Sequence, residues 1–199
     1  MSNTASPSRI LIFDDDTERA NMLVQALEVS EYTVAAHTSS VGDLLPQAET
    51  VKPDIILIGA DAPGQDMLAD VATISQQQSV PIVMFTRDNR SETIRAATQA
   101  GVSAYVVNGL SPERIQPIIE AAIARFREFQ ALAQELEKTK TSLAERKVIE
   151  RAKGIIMEQR DCTEAEAYRT LQKMAMDRKK RLAEIAQDVL SIAEVLTNR

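Results

Sequence analysis

Five short apolar runs alternate with amphipathic helical patterns in the first half of the chain, and this alternation limits the folds that it can adopt. The runs are largely β-branched or aromatic, and turn or polar residues bound them. They are RILIF (9–13), the weaker YTVAAH (32–37), DIILIG (54–59), PIVMFT (81–86) and AYVV (104–107). Runs of this kind are typical of strands buried on both faces of a parallel sheet. Helical patterns over 17–30 and 91–100 lie between them. The sequence therefore predicts an α/β fold with a doubly wound five-stranded parallel sheet.

The chain changes character after Ser111, where a long helical pattern begins. Ser111, Pro112 and Glu113 supply an N-cap, a proline at the first helical position and an early acid. Apolar residues then follow with 4-3 spacing, and we expect a coiled-coil linker helix over 112–145. We interpret the seam as the interface of a homodimer. The alternative is one amphipathic helix packed on its own domain. The expected dimer seam consists of Ile115, Ile119, Ala122, Phe126, Phe129 and Leu136.

Two further helical patterns complete a three-helix unit with the end of the long helix. Thr163 and Glu166 fit a capping box at the start of the first of them. The expected domains are residues 1–124, the linker helix over 112–145, and residues 143–199. The residues that we assign to the core of the three-helix unit are Ala152, Met157, Leu171, Ala175 and Ala186.

Charge is distributed unevenly along the 199 residues, whose formal net charge is -6. Residues 143–199 contain 12 Lys/Arg and 10 Asp/Glu, whereas residues 1–142 contain 11 and 19. A cationic tail can bind phosphates through several weak, salt-sensitive contacts. The alternative is a solvated helix surface with local ion pairs. The single cysteine, Cys162, excludes an intramolecular disulfide. With no apolar leader or spanning run in the sequence, we expect a cytoplasmic protein.

Polar residues gather where the predicted strands end. Asp14–Asp16 follow the first strand, Thr86 ends the fourth and Asn108 follows the fifth. The carboxyl ends of parallel strands share one edge of the sheet, and carboxylate oxygens are the ligands that Mg²⁺ prefers. The alternative is three solvated loop acids. The third strand ends differently, because its last residue is Gly59 and the next carboxylate, Asp61, comes two residues later.

The first 125 residues or so resemble the receiver domain of two-component response regulators, which has a flavodoxin-like fold. By this resemblance Asp14 and Asp15 match the two acids that hold Mg²⁺ after the first strand. Thr86 matches the hydroxyl after the fourth strand, and Tyr105 matches the aromatic switch position.

Two positions depart from the receiver pattern. Gly59 stands where that family has its phosphate-accepting aspartate, and Asn108 stands where it has a lysine. Glycine offers no nucleophile and asparagine offers no charge beside a phosphoryl group. Asp61 remains as an alternative acceptor, although it lies several ångströms further along the chain. We therefore interpret this part as a pseudo-receiver kept as a docking module. Its degenerate phosphorylation pocket comprises Asp14, Asp15, Gly59, Asp61, Thr86 and Asn108.

No catalytic residue, metal or cofactor is assigned to this pocket. Any residual Mg²⁺ binding is expected to be weak, and clustered acids without a phosphate to offset are expected to repel one another.

About the last 55 residues resemble an ANTAR domain, the three-helix RNA-binding module of antitermination regulators. The segments that carry the resemblance are AKGIIM (152–157), TEAEAY (163–168), LQKMAM (171–176) and IAQDV (185–189). A receiver, a coiled coil and an ANTAR domain in this order resemble the NasT-type regulators of nitrate assimilation.

The resemblance implies binding to paired hairpins in a leader RNA, so that transcription continues. It also implies a ligand-sensing regulatory partner (NasS-like) that sequesters the regulator until nitrate or nitrite releases it. Tyr168 is a candidate for stacking on a loop base, and packing between helices is its alternative role. The candidate RNA-binding residues are Arg146, Arg151, Lys153, Gly154, Arg160, Tyr168, Arg169, Lys173, Lys179 and Lys180.

Two other functions remain open from the sequence. A phosphorylation-switched, DNA-binding response regulator requires an acceptor, which Gly59 denies unless Asp61 serves. A protein-only interaction adaptor requires that the basic unit bind no RNA. An enzyme is the least expected class, because His37 and Cys162 have no catalytic motif around them.

Overall fold

The computed structural model describes residues 8–28 and 30–197, in which five strands and seven helices are found. In chain order they are β1 (Ser8–Asp14), α1 (Thr17–Glu28), β2 (Tyr32–Thr38), α2 (Val41–Val51), β3 (Ile55–Gly59), α3 (Gln65–Gln77), β4 (Ile82–Thr86), α4 (Ser91–Gln99), β5 (Ala104–Val107), α5 (Pro112–Arg160), α6 (Glu164–Arg178) and α7 (Leu182–Thr197). The predicted helix over 17–30 includes residue 29, which lies outside the described residues. So do residues 1–7, 198 and 199 of the expected terminal domains.

The five strands form one parallel sheet in the order β2-β1-β3-β4-β5. Every residue of β3 and β4 is buried, as their continuous apolar runs predict. The register of β1 against β3 places Asp14 opposite Gly59 at the carboxyl end of both strands. The predicted doubly wound five-stranded parallel sheet is confirmed.

Each face of the sheet carries its own hydrophobic core. On one face, Leu11 and Phe13 of β1 pack in a cluster with residues of α2, α3 and α4. On the other face, Ile10 and Ile12 pack with Leu23 and Leu27 of α1 and with the first turns of α5. Alternate residues of β1 thus face opposite cores, which holds its carboxyl end rigidly at the edge of the sheet.

The first turns of α5 belong to this second core, and this corrects part of the predicted dimer seam. Ile115 and Ile119 are fully buried and Ala122 is 2% exposed, all within one chain. They are not available to a second copy. The same 4-3 spacing that makes a coiled-coil seam also makes an amphipathic helix that packs on a sheet. Each of the two isoleucines contributes roughly 1.5–3 kcal/mol by its burial.

The middle of α5 presents a different surface. Phe126 is half-buried. The side chains that follow on one side of the helix are exposed, at 67% for Phe129, 60% for Leu132, 54% for Leu136 and 55% for Leu143. We call these four residues the α5 stripe. Phe129 and Leu136 of the predicted seam belong to it.

The end of α5 packs with α6 and α7 around a third core of Ala152, Ile156, Ala167, Leu171, Ile185, Ala186 and Leu190. The predicted core residues Ala152, Leu171 and Ala186 are fully buried, and Met157 and Ala175 pack against them. By their contacts, Met1–Gln130 and Ala131–Arg199 are two compact units. No helix in the described part of the chain is both long enough and apolar enough to cross a membrane.

Candidate nucleic-acid interface and acidic pocket

The carboxyl edge of the sheet holds a pocket of acids in the first unit. Asp14 is the last residue of β1, and it is 1% exposed. One of its carboxylate oxygens, Oδ1, accepts a hydrogen bond of 2.9 Å from the amide of Asp16. Burial is the strongest influence on this carboxyl and raises its pKa, while the hydrogen bond from Arg19 opposes that effect.

Arg19, in the first turn of α1, occupies the centre of this pocket. Its Nε lies 3.0 and 2.9 Å from the two carboxylate oxygens of Asp14. Its Nη2 donates a 2.8 Å hydrogen bond to Asp15, and its Nη1 donates one to Asp61. The Arg19 side chain is 12% exposed. We define the acidic pocket as Asp14, Asp15 and Asp61 around Arg19.

The expected repulsion among clustered acids is therefore offset within the chain, a point that sequence reasoning missed. Asp15 and Arg19 are separated by four positions at the start of a helix, and this spacing was the available signal.

Gly59 is required by the contents of the pocket. A Cβ atom at this position would lie 1.9 Å from Oδ2 of Asp14 and 2.8 Å from Nε of Arg19. Any side chain here therefore forces both groups to move. The space that an acceptor carboxylate needs at the end of β3 is taken by the ion pair of Asp14 and Arg19.

The receiver fold implies a Mg²⁺ ion among these acids, and the residues present do not fit one. Mg²⁺ requires carboxylate oxygens that are free to approach at close range, whereas a guanidinium group binds oxygens of Asp14, Asp15 and Asp61. Among the residues that the structure describes, no group of three or more acids, histidines or cysteines is arranged to hold a metal ion.

The remaining predicted pocket residues are held by hydrogen bonds within the chain. The Thr86 hydroxyl donates to the carbonyl oxygen of Asp61 at 3.0 Å and accepts from the amide of Asp88 at 3.0 Å. The Tyr105 hydroxyl donates to the carbonyl oxygen of Asp88 at 2.9 Å. Asn108 has a left-handed backbone, with φ of 50°, and its amide donates to the carbonyl oxygen of Thr86.

Asp88 was not among the predicted site residues, yet it anchors the loop after β4. Its carboxylate accepts hydrogen bonds from the Arg90 guanidinium, the Arg90 amide and the Thr93 hydroxyl. These bonds, led by the one from the Arg90 side chain, hold the pKa of Asp88 far below its usual range. The loop is therefore fixed while Asp88 is ionised.

In the second unit, Lys153 is buried, unlike the other basic candidates. The residue is 6% exposed, and its Nζ lies 2.8 Å from Oε1 of Glu150 and 2.6 Å from Oε1 of Glu164. Hydrogen bonds to Glu150 and Glu164 raise the pKa of Lys153, and the bond from Lys153 lowers the pKa of Glu164. Its ammonium group, which the sequence suggested for phosphate contact, is already occupied.

Most of the other candidate cations are exposed. Among the residues that the structure describes, six of them form no ion pair: Arg146, Arg151, Arg160, Arg169, Lys173 and Lys179. Lys180 pairs with Asp188 at 2.9 Å. Arg169 and Lys173 lie one turn apart on α6, and we call this pair the α6 basic face. Tyr168, 38% exposed, is beside them in sequence.

Gly154 lies in the interior of α5 with its position open to solvent. A Cβ atom built there would meet no atom within 4 Å. The described packing within the chain therefore does not require a glycine here. One turn before it, at i-3, is the exposed Arg151.

The five-stranded parallel sheet with acids at the end of β1 defines the first unit as a receiver domain. Residues 10–120 match the family described as the response regulator receiver domain, and residues 137–190 match the ANTAR domain. The chain therefore belongs to the response regulators that carry an ANTAR domain.

The sequence similarity of the chain to two regulatory proteins is consistent with this family. The chain is 31% identical over 189 residues to the transcriptional regulatory protein PdtaR of Mycobacterium tuberculosis, covering 95% of this chain and 92% of that protein. It is 42% identical over 65 residues to a nitrate regulatory protein of Klebsiella oxytoca, covering 33% of this chain and 16% of that protein. Both relatives are regulatory proteins by name.

The fold also matches solved structures. A CheY-like response regulator receiver domain protein from Methanospirillum hungatei superposes with a TM-score of 0.54 at 24% identity. The match covers 62% of this chain and 99% of that one, and it shows the receiver fold alone.

Proposed function

We propose that this protein is a transcription antitermination regulator that binds paired hairpins in a leader RNA through its ANTAR unit. The observation that carries the proposal is the α6 basic face. Arg169 and Lys173 are exposed and form no ion pair among the described residues, on a helix whose opposite side is packed in the core. Two cations one turn apart suit successive phosphates, and Tyr168 beside them offers a ring for an unstacked loop base.

The predicted RNA-binding residues differ in their surroundings. The exposed cations Arg146, Arg151, Arg160 and Lys179 remain candidate phosphate contacts, with Gly154 as a point of close backbone approach. Lys180 shares its charge with Asp188, which makes it a weaker candidate. Lys153 instead acts as a positioning residue, because its ammonium joins Glu150 of α5 to Glu164 of α6.

A parallel dimer through the α5 stripe supplies two RNA-binding units. Phe129, Leu136 and Leu143 are seven residues apart, and Leu132 lies between the first two in the second position of a heptad. In this register Glu135 and Lys140 take the flanking positions. A parallel pairing then sets Glu135 of one copy against Lys140 of the other, whereas an antiparallel pairing sets like charges together.

Such a dimer binds two linked hairpins more tightly than one. Once the first hairpin is bound, the second binding event is intramolecular, so the RNA linker sets its effective concentration. Two modest affinities then give selective binding to a leader that carries both hairpins.

Control by a ligand-sensing partner, and not by phosphorylation, is supported by the contents of the acidic pocket. Gly59 leaves no nucleophile at the end of β3, and the Asp61 carboxylate is bound to Arg19. Sequestration by a partner needs only a surface. The likeness of a third of the chain to a nitrate regulatory protein supports nitrate as the inducing signal. The resemblance to NasT-type regulators supports a NasS-like protein as the sensor of nitrate or nitrite.

A gel-shift titration tests the function. Full-length protein is titrated against a leader RNA with two hairpins, against each hairpin alone, and against duplex DNA of equal length. We expect binding that weakens as salt rises and that is strongest for the paired hairpins. Binding to none of the RNAs at low salt by dimeric protein would favour the adaptor function and refute this one.

Incubation with acetyl phosphate and Mg²⁺, followed by mass measurement, tests the mode of control. We expect no change in mass. A gain of one phosphoryl group would show that Asp61 or another residue accepts phosphate and that the protein is a phosphorylation-switched regulator.

A further inference from the structure

We propose that Arg19 is a built-in replacement for the divalent cation of the receiver fold, so that the first unit adopts its conformation independently of Mg²⁺. This inference concerns the acidic pocket and does not depend on RNA binding by the second unit. It goes beyond the loss of the phosphate acceptor, because it assigns a residue to the place and the task of the metal ion.

The contacts of Arg19 are those that a bridging cation would make. Its three guanidinium nitrogens donate to three different carboxylates: Asp14 on β1, Asp15 in the β1–α1 loop, and Asp61 after β3. One group thus ties the β1–α1 loop to the β3–α3 loop. The contact with Asp14 is shielded, since Asp14 is buried and the Arg19 side chain is 12% exposed, whereas the Asp15 and Asp61 carboxylates are 58% and 53% exposed.

Charge and shape favour the guanidinium over a hydrated metal ion here. An arginine remains protonated throughout the physiological pH range, and its planar fork of donors matches carboxylate geometry. Because the guanidinium is attached to α1, its binding does not depend on the concentration of a free ion. A Mg²⁺ ion would have to displace it from all three acids, and it also dehydrates reluctantly.

The glycine at position 59 is consistent with this role of Arg19. With a Cβ position only 1.9 Å from Oδ2 of Asp14 and 2.8 Å from Nε of Arg19, a side chain at residue 59 requires both Asp14 and the guanidinium bound to it to move. The loss of the acceptor and the presence of Arg19 are therefore physically linked. A simple Gly59→Asp reversion is expected to disrupt the pocket before it restores a phosphate acceptor.

Thermal unfolding of the wild-type full chain, in EDTA and in millimolar Mg²⁺, is the first test. We expect the same melting temperature in both conditions. Binding of terbium, a luminescent probe for oxygen-lined cation sites, is expected to be absent at this pocket. A melting temperature that rises with Mg²⁺ in the wild-type protein would overturn the proposal.

Matched arginine variants provide the second test. Arg19→Met removes the charge, and Arg87→Met is the control, because Arg87 is 73% exposed and lies 3.6 Å from the same Asp61. We expect Arg19→Met to melt lower in EDTA, by on the order of 5 °C, and to regain part of this loss in Mg²⁺. The control is expected to melt like the wild type. Equal melting of Arg19→Met and wild type in EDTA would contradict the proposal.

A further variant keeps the test decisive if Arg19→Met does not fold, and a double-mutant cycle extends the test if it folds. Arg19→Lys keeps a charge but not the fork of donors, so we expect an intermediate melting temperature that Mg²⁺ does not raise. Gly59→Ala is expected to cost more stability in the wild-type background than in the Arg19→Met background, as a double-mutant cycle would show. Additive effects would mean that residue 59 and Arg19 do not share the space.

Discussion

The ammonium group of Lys153 lies 2.6 Å from the carboxylate of Glu164, and this contact of a buried lysine with an exposed glutamate joins α5 to the first turn of α6. A second contact, to Glu150 on α5 itself, fixes the direction of the lysine. A lysine that the sequence places among the RNA-binding cations is thus part of the scaffold that holds α6 against α5.

Replacing Lys153 is expected to affect folding before it affects RNA binding. Lys153→Glu places a third carboxylate, at a buried position, beside Glu150 and Glu164, so we expect faster amide hydrogen exchange throughout α6 in the full chain. Glu164→Gln removes only one charge and serves as the milder control. RNA affinity lost by Lys153→Glu with unchanged exchange would show instead that this lysine contacts RNA directly.

The α6 basic face is expected to contribute charge to RNA binding without contributing to stability. Lys173→Glu and Arg169→Glu should each lower RNA affinity and leave the melting temperature unchanged, because both side chains are exposed and form no ion pair among the described residues. The plot of log affinity against log salt should lose about 0.7–0.9 of its slope for each phosphate contact removed. Arg95→Glu on α4 makes the same charge change in the receiver unit and should alter neither the affinity nor the slope.

A charge placed in the α5 stripe is expected to prevent dimer formation. Leu136→Glu puts a carboxylate at the centre of the apolar seam, opposite its own copy, where it must be desolvated beside a like charge. Analytical ultracentrifugation should then show a monomer at concentrations where the wild type is dimeric. Thr141→Glu adds the same group to the other side of the helix and should leave the dimer intact. A dimer that persists in Leu136→Glu would place the interface elsewhere.

Gly154→Ala is expected to separate stability from function. The new methyl group meets no atom within 4 Å in the folded chain. Because alanine is the better helix former, the variant should gain about 0.5–1 kcal/mol of stability in denaturant unfolding. If RNA approaches this part of α5 closely, the same variant loses RNA affinity. Gly42→Ala on α2, where a Cβ atom meets only ordinary contacts, is the control without an RNA effect.

The capping box of α6 predicts a pH dependence. The Glu166 carboxylate accepts a 2.9 Å hydrogen bond from the amide of Thr163, and this bond is the main reason that the pKa of Glu166 is lowered from 4.5. A lowered pKa in the folded state means that the stabilisation is present above pH 4.5 and is lost as the pH falls below it. Amide hydrogen exchange in α6 should therefore be slower in the wild type than in Glu166→Ala at neutral pH. The difference in exchange rate between the two proteins should become smaller as the pH falls below 4.5. A difference that is independent of pH would show that the ionised Glu166 carboxylate is not its source.

The sequence determined the order and type of the elements, because these follow from local patterns. Short apolar runs between amphipathic patterns predicted the parallel sheet, and Thr163 with Glu166 predicted the start of α6. The same local reading identified Gly59 in place of an acceptor. The acids of the pocket were also predicted to lie together, since parallel strands end at one edge.

Only the tertiary structure decided which charges are free and which apolar residues are covered. Ile119 and Leu136 have the same apolar character and belong to one helical pattern, yet the first is fully buried under the sheet and the second is exposed. Lys153 and Lys173 are the same residue type, yet carboxylates of α5 and α6 occupy the ammonium group of the first. Arg19 reaches Asp61 only because β1 and β3 are neighbours in the sheet. Each outcome depends on contacts between segments far apart in the chain, and periodicity and composition carry no information about such contacts.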